Sequence, residues 1–137
     1  MNYDSGIQEK LGRMRREHTP AETGGVLVGY IDQKLKTIFI VDALPAPSDS
    51  VGDSTGFIRG VSGLEAAVEE IRKRTAMIVG YIGEWHSHPP LTGATPSPTD
   101  RILVKTLAEA LAVDGQPFLM IIVAAGGEIS VTVKQGI

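Results

Sequence analysis

Apolar positions recur along this chain in two rhythms, one helical and one strand-like. Ile7, Leu11 and Met14 lie at helical spacing with charged residues between them, which predicts an amphipathic helix over residues 5–18 that Pro20 stops. Gly24 to Ile31 is a short apolar run that reads as a buried strand. Asp32-Gln33-Lys34 is a polar turn, and Leu35 to Leu44 reads as the partner strand of a hairpin. Pro45 to Gly56 is rich in Pro, Ser, Asp and Gly and reads as a surface loop. Residues 62–75 predict a second helix with Leu64, Val68 and Ile71 facing inward. Met77 to Gly83 is apolar and β-prone, so it predicts a buried strand leading into the segment that follows. After a proline-rich loop at 89–96, a third helix is expected over residues 98–113, with Leu103, Leu107, Ala110 and Leu111 on one face. Phe118 to Ala125 and Ile129 to Lys134 predict a last hairpin turned by Gly126-Gly127. The order α-β-β-α-β-α-β-β predicts a mixed α/β domain with one sheet between helices. No repeat or linker interrupts the 137 residues, so one domain spanning 1–137 is expected.

Composition narrows the classes of function. The apolar fraction of 42% and charged fraction of 21% are those of an ordinary globular protein. A net charge of −3 offers no footprint for nucleic acid or a membrane surface. Lys10, Arg13, Arg15 and Arg16 cluster, but Glu9 and Glu17 lie among them, so a solvated helix face is expected. The absence of cysteine excludes a disulfide framework, a thiol nucleophile and any Cys-ligated zinc. It also excludes the zinc nucleobase deaminases, which need a Cys pair beside their His and Glu. No stretch resembles a signal peptide or a membrane span, and a cytoplasmic location is expected.

The candidate chemistry sits in Glu84-Trp85-His86-Ser87-His88-Pro89, followed by Ser97-Pro98-Thr99-Asp100. On an extended chain, residues i and i+2 face the same way, so His86 and His88 aim at one point and Ser87 faces away. Asp100 follows His88 by twelve residues and can add a third ligand. Zinc takes nitrogen and oxygen ligands, and a catalytic zinc typically keeps three protein ligands and one open position for water. A structural role also accounts for part of this segment. Ser97 suits a helix N-cap, Pro98 the first helical position, and Asp100 the third, where a carboxylate favours the helix N-terminus. The two roles are compatible, because a helix N-terminus can present Asp100 to a metal while Ser97 caps it. His18, at the end of the basic helix, is expected to favour that helix's C-terminus instead of joining the pair.

Hydrolysis at such a site needs a general base. Glu22 opens the first strand, in Ala21-Glu22-Thr23-Gly24-Gly25-Val26-Leu27, where the glycines let the backbone pass close to its neighbours. Glu84 shares strand parity with His86 and His88. The residues alone do not choose between Glu22 and Glu84.

The chain resembles the JAMM/MPN+ metalloprotease family, also called JAB. That pattern has an upstream glutamate, then His-Ser/Thr-His-Pro, then Ser-x-x-Asp, and the chain matches it with Glu22, His86, Ser87, His88, Pro89, Ser97 and Asp100. The segment Glu-Thr-Gly-Gly-Val-Leu-Val-Gly from Glu22 also resembles the family's first strand. The form Gly83-Glu84-Trp85-His86-Ser87-His88-Pro89 resembles a bacterial subgroup found near E1-like and E2-like genes or in mobile elements of the integrative and conjugative type. Eight residues separate His88 from Ser97, one more than the commonest family spacing. The resemblance implies an MPN/JAB fold, similar to that of cytidine deaminases. It implies His86, His88 and Asp100 as Zn2+ ligands, Glu22 as general acid/base, and Ser97 as an oxyanion donor. Glu84 then becomes a neighbour. The activity it implies is a zinc-dependent isopeptidase or protease that removes or processes a ubiquitin-like protein modifier, with E1-like or E2-like pathway proteins as further partners. The alternatives are a non-catalytic MPN-type interaction module and a zinc hydrolase of another amide. An extended, glycine-ended substrate tail is expected to lie along a sheet edge beside His86, with the loops at 45–60 and 89–96 setting specificity.

Overall fold

The computed structural model describes residues 5–135. Helix α1 (Ser5–His18) is followed by strands β1 (Gly24–Asp32) and β2 (Thr37–Ala43), a small hairpin of β3 (Val51–Gly52) and β4 (Phe57–Ile58), and helix α2 (Leu64–Arg74). Strand β5 (Gly80–Ser87), helix α3 (Pro98–Ala112), and strands β6 (Phe118–Val123) and β7 (Ile129–Lys134) complete the order. The main sheet runs β2-β1-β5-β6-β7, and only the β5–β6 pair is parallel. This is the mixed sheet between helices that the periodicity predicts.

Helix α1 covers one face. Ile7, Leu11 and Met14 pack there with Leu27, Ile40, Trp85, Leu119 and Ile121. Each such fully buried side chain contributes about 1.5–3 kcal/mol. The other face carries α3, through Val104 and Ala108 on Phe118, Met120 and Ile122. It also carries α2, whose Leu64, Val68 and Ile71 pack on Val26, Val28 and Val79 as expected. Covered on both faces, β6 is buried at every position, which explains its unbroken apolar run.

A bulge tunes β5. Leu27 of β1 pairs with Gly83 and Val28 with Tyr81, so Ile82 is an extra residue. The alternation is thereby re-phased. Ile82 and Trp85 share the α1 face, while Tyr81, Glu84 and His86 look out on the other side.

Several expectations change. The 45–56 loop contains β3, which pairs with β4 just beyond it, and two-residue strands around a turn are too short for alternation to register. Leu35 is 65% exposed and belongs to the turn, where Asp32 Oδ1 accepts from its amide. Met77 and Ile78 are exposed and precede β5, since Ala76 and Met77 adopt left-handed backbone angles of φ 54° and 66°. On α3 the buried stripe is Asp100, Val104 and Ala108, with Leu107 and Leu111 half-buried, while Leu103 and Ala110 are exposed. Arg15 is not on a solvated face. It is 7% exposed and its Nε donates to the His88 carbonyl at 3.0 Å. Nor does His86 stand beside a free sheet edge, because β5 lies between β1 and β6. Gly126 and Gly127 do turn the last hairpin, at φ 72° and 79°. Among the described residues no helix is long and apolar enough to cross a membrane.

Candidate metal centre

The C-terminal end of β5 and the N-terminus of α3 meet on the α3 side of the sheet. His86 is the last but one residue of β5, and His88 follows it with its amide donating to the Val123 carbonyl of β6. Asp100 enters from the first turn of α3. Its Oδ1 is 2.9 Å from His86 Nε2 and its Oδ2 is 3.0 Å from His88 Nε2. All three side chains are buried or nearly so. Glu22, half-buried ahead of β1, brings a carboxylate to the same point. One ligand atom each from Glu22, His86 and His88 lie within 4.8 Å of one another. The structure thus brings together Glu22, His86, His88, Asp100 and Ser97 around one cleft, and leaves out His18. His18 Nδ1 lies 3.0 Å from the Met14 carbonyl in the last turn of α1, as its helix-end role predicts.

Local chemistry accounts for each placement. Ser97 caps α3: its Oγ accepts from the Asp100 amide at 3.1 Å, and Asp100 Oδ2 accepts from the Ser97 amide at 2.8 Å. This capping box spends acceptor capacity on Ser97 Oγ, whose rotatable O–H is shared with the Asp100 carboxylate. Gly24 lets β1 pass directly behind the site, because a Cβ there would clash with the Trp85 carbonyl and come within 2.9 Å of His86 Cβ. Ser87, facing away, is a clasp. Its fully buried Oγ accepts from the Thr23 amide at 2.9 Å, and its own amide donates to the Thr23 carbonyl at 2.8 Å. Thr23 adjoins Glu22, so the clasp sets that carboxylate opposite the histidines.

The imidazoles are also oriented. His88 Nδ1 lies 2.7 Å from the Gly93 carbonyl. With no other polar role for that carbonyl than accepting, Nδ1 carries the proton and Nε2 presents its lone pair. The 89–96 loop that supplies Gly93 is itself pinned by β7 and the turn before it. Glu128 Oε1 accepts from the Ala94 amide at 2.9 Å, and Ser130 Oγ donates to the Ala94 carbonyl at 2.6 Å. His86 Nε2, in contrast, is buried and makes no hydrogen bond of acceptable geometry, despite its closeness to Asp100. A buried polar atom without a partner is costly. Two imidazoles and a carboxylate converging there fit a divalent first-row metal ion.

Charge follows the same pattern. Burial works against ionised Asp100, but the His86 imidazole, the Ser97 amide and the Ser97 side chain outweigh it and hold the carboxyl well below the usual range. Burial raises Glu22 above its ordinary value, against the pull of His86 and His88. Glu84 is spoken for. Arg59 Nε and Nη2 donate to its two carboxylate oxygens at 2.7 and 3.2 Å, and the Tyr81 hydroxyl donates at 2.9 Å. Glu84 shares the face of His86, as parity predicts, yet its lone pairs are committed, whereas Glu22 faces the imidazoles.

Arg59, Tyr81, Arg15, Ser87 and the Gly93 carbonyl all support the site. The sequence pattern gives no role to Arg59, Tyr81 or Gly93 and places Arg15 on a solvated face, while Ser87 stands inside the His-x-His motif. Arg59, Arg15 and Ser87 bond to residues distant in sequence, whereas Tyr81 and Gly93 lie three and five residues from Glu84 and His88.

The cleft over these residues has a volume of about 600 Å³. Phe57, Ile58 and Arg59 of the hairpin segment and Leu103 and Leu107 of α3 line it.

A buried His-x-His pair facing a helix-capping aspartate and a glutamate defines a candidate hydrolytic metal centre. The chain matches the family described as prokaryotic homologs of the JAB domain (Prok-JAB) over residues 4–134, and it belongs to that family. A protein named CD-NTase/cGAS isopeptidase from Enterobacter hormaechei is 35% identical over 107 residues, covering 78% of this chain and 56% of that protein. A probable metalloprotease, y4qB, from Sinorhizobium fredii is 24% identical over 125 residues, covering 91% of this chain and 75% of the relative. The chain therefore spans little more than half of the isopeptidase relative. A protein of Desulfitobacterium hafniense with a known solution structure shares the fold at a TM-score of 0.61, with 22% identity over 97% of this chain and 88% of that one.

Proposed function

We propose that this protein is a zinc-dependent isopeptidase that removes or trims a ubiquitin-like modifier. The observation that carries the reading is the convergence of Glu22, His86 and His88 within 4.8 Å, with Asp100 against both imidazoles, at the floor of an open cleft. The names of the relatives, isopeptidase and metalloprotease, support the same class of reaction. His86, His88 and Asp100 would hold the ion. Bound there, zinc polarises a carbonyl and lowers the pKa of water. Glu22 accepts the proton of the attacking water and returns it to the leaving amine; its raised affinity for protons suits that exchange. The Ser97 hydroxyl donates to the oxygen of the tetrahedral intermediate. Gly93, through His88 Nδ1, fixes the tautomer that leaves Nε2 available. The cleft lined by the β3–β4 hairpin and α3 would seat an extended tail with small residues next to the scissile bond. A modifier ending in a flexible Gly-Gly tail meets that requirement, and the name of the Enterobacter relative makes a modified nucleotidyltransferase a reasonable target class. The purified protein should cleave a ubiquitin-like domain from a reporter protein fused after its Gly-Gly tail, and chelation should stop it. Equal rates on glycine-ended and bulky tails would point instead to a hydrolase of another amide, and no cleavage by zinc-loaded protein would point to a binding module.

A further inference from the structure

Among the described residues, the β3–β4 hairpin is braced by its own hydrogen bonds and is hydrogen-bonded to its surroundings at two points. Internally, Asp49 accepts from the amides of Val61 and Ser62, and Ser50 Oγ accepts from that of Gly60. Asp53 Oδ1 accepts from the Thr55 amide and hydroxyl and from the Gly56 amide, which fixes the tip. One attachment is the Glu22 amide, which donates to the Asp53 carbonyl at 2.8 Å. The other is the paired contact of Arg59 with Glu84, at 2.7 and 3.2 Å. Glu84 is 7% exposed, and Tyr81 steadies it from the same strand face. Arg59 Nη1 also donates to the Gly60 carbonyl at 2.8 Å, so the guanidinium is held from its own side as well.

We propose that Arg59 is a positioning residue, a latch whose ion pair with Glu84 holds the hairpin wall against the cleft for the substrate tail. The inference rests on the reading of the cleft as a peptidase site. A planar guanidinium engaging both carboxylate oxygens fixes orientation as well as distance, which an ammonium cannot do. Without the latch the hairpin keeps its internal bonds and its Asp53 attachment, and pivots about the latter. Contacts between hairpin and tail are made in the ground state and the transition state alike, so their loss raises KM and leaves kcat in place. Glu22 keeps its place through the Ser87–Thr23 clasp, which does not involve the hairpin.

The test uses the full chain with Arg59→Gln, Arg59→Lys and Glu84→Gln. Its first readout needs no activity: chymotrypsin cleavage after Phe57, which lies in β4 next to the latch and is half-buried. Arg59→Gln should speed cleavage at Phe57 by about tenfold, the change expected for losing one charge-assisted pair. Arg59→Lys should fall between, and Glu84→Gln, which removes the same charge pair and one of its two acceptor oxygens, should match Arg59→Gln. On the Gly-Gly-tailed reporter fusion, Arg59→Gln should raise KM by about tenfold with kcat within about twofold. Unchanged cleavage at Phe57, faster cleavage spread over the whole chain, or a collapse of kcat at constant KM would each overturn the latch. If no variant and no wild-type protein cleaves the fusion, the peptidase reading fails while the Phe57 comparison still decides the latch.

Discussion

Ser97→Ala separates two roles that one hydroxyl holds. In the structure, Ser97 Oγ accepts from the Asp100 amide at 3.1 Å, and the reciprocal bond from the Ser97 amide to Asp100 Oδ2 is 2.8 Å. Alanine removes the first bond and keeps the second. Loss of an N-cap side chain costs about 1 kcal/mol. For a chain of this length, that lowers the melting temperature by about 3–5 °C. With a stability of about 5–15 kcal/mol to begin with, the variant stays almost fully folded at 25 °C. Unfolding therefore cannot account for a large loss of rate. If the hydroxyl donates to the oxyanion, kcat falls by about 10²–10³. Ser97→Gly sharpens the comparison, because glycine at an N-cap costs only a few tenths of a kcal/mol yet also lacks the hydroxyl. Both variants should lose the same rate, and only the alanine variant should melt early. The assay is thermal unfolding beside single-turnover cleavage of the Gly-Gly fusion, with zinc content measured on each sample. Full activity in Ser97→Gly, or loss of zinc in either variant, would refute the donor role and leave Ser97 as a cap for the helix that carries Asp100.

Three further outcomes follow from the same geometry. His86→Ala or His88→Ala should abolish zinc binding as read by native mass spectrometry, and stoichiometric zinc in the double variant would contradict the ligand set. Ser87→Ala strips the buried Thr23 amide of its side-chain acceptor, at a cost of about 1–3 kcal/mol. It should lower the urea midpoint and, by loosening Glu22, also kcat at matched folded fraction; a drop in stability alone would show that the clasp does not register the base. In the metal-free protein, burial should make Glu22 titrate above an ordinary glutamate, so that it loses its proton only at higher pH. Zinc should pull that value back down, since a nearby cation favours the carboxylate; carboxyl NMR titration with and without zinc reads both signs, and a shift in the opposite direction would remove Glu22 from the site.

Long, strongly patterned elements were legible before the structure. α1 declared itself through Ile7, Leu11 and Met14, and β6 through an unbroken apolar run that only a doubly covered strand carries. The core of the site was legible for a similar reason: strand parity aims His86 and His88 together, and Ser97-Pro98-Thr99-Asp100 writes a helix start that presents Asp100. What stayed hidden depends on contacts between distant residues. Nothing in the local pattern ties Arg59 to Glu84 or brings Arg15 under the His88 carbonyl. The β3–β4 strands are too short for alternation, and the loop's polar composition masks their pairing. The α3 face differs from the apolar pattern because Leu103 is apolar yet exposed, lining the cleft instead of the core. The choice between Glu22 and Glu84 turned on occupancy. Strand parity speaks for Glu84 and the opening of the first strand for Glu22, but Arg59 and Tyr81 already hold Glu84.

Glu22→Gln preserves shape and removes only the group that takes and returns the proton. The decisive measurement is cleavage of the Gly-Gly-tailed fusion by zinc-loaded wild type, Glu22→Gln and Glu84→Gln, with zinc content and melting temperature recorded for each. Wild type should cleave, Glu22→Gln should be folded, zinc-loaded and slower by about 10²–10⁴, the usual worth of a general base, and Glu84→Gln should retain most of its turnover. A Glu22→Gln protein that cleaves at the wild-type rate, or a Glu84→Gln protein that alone is silent, would contradict Glu22 as the general base.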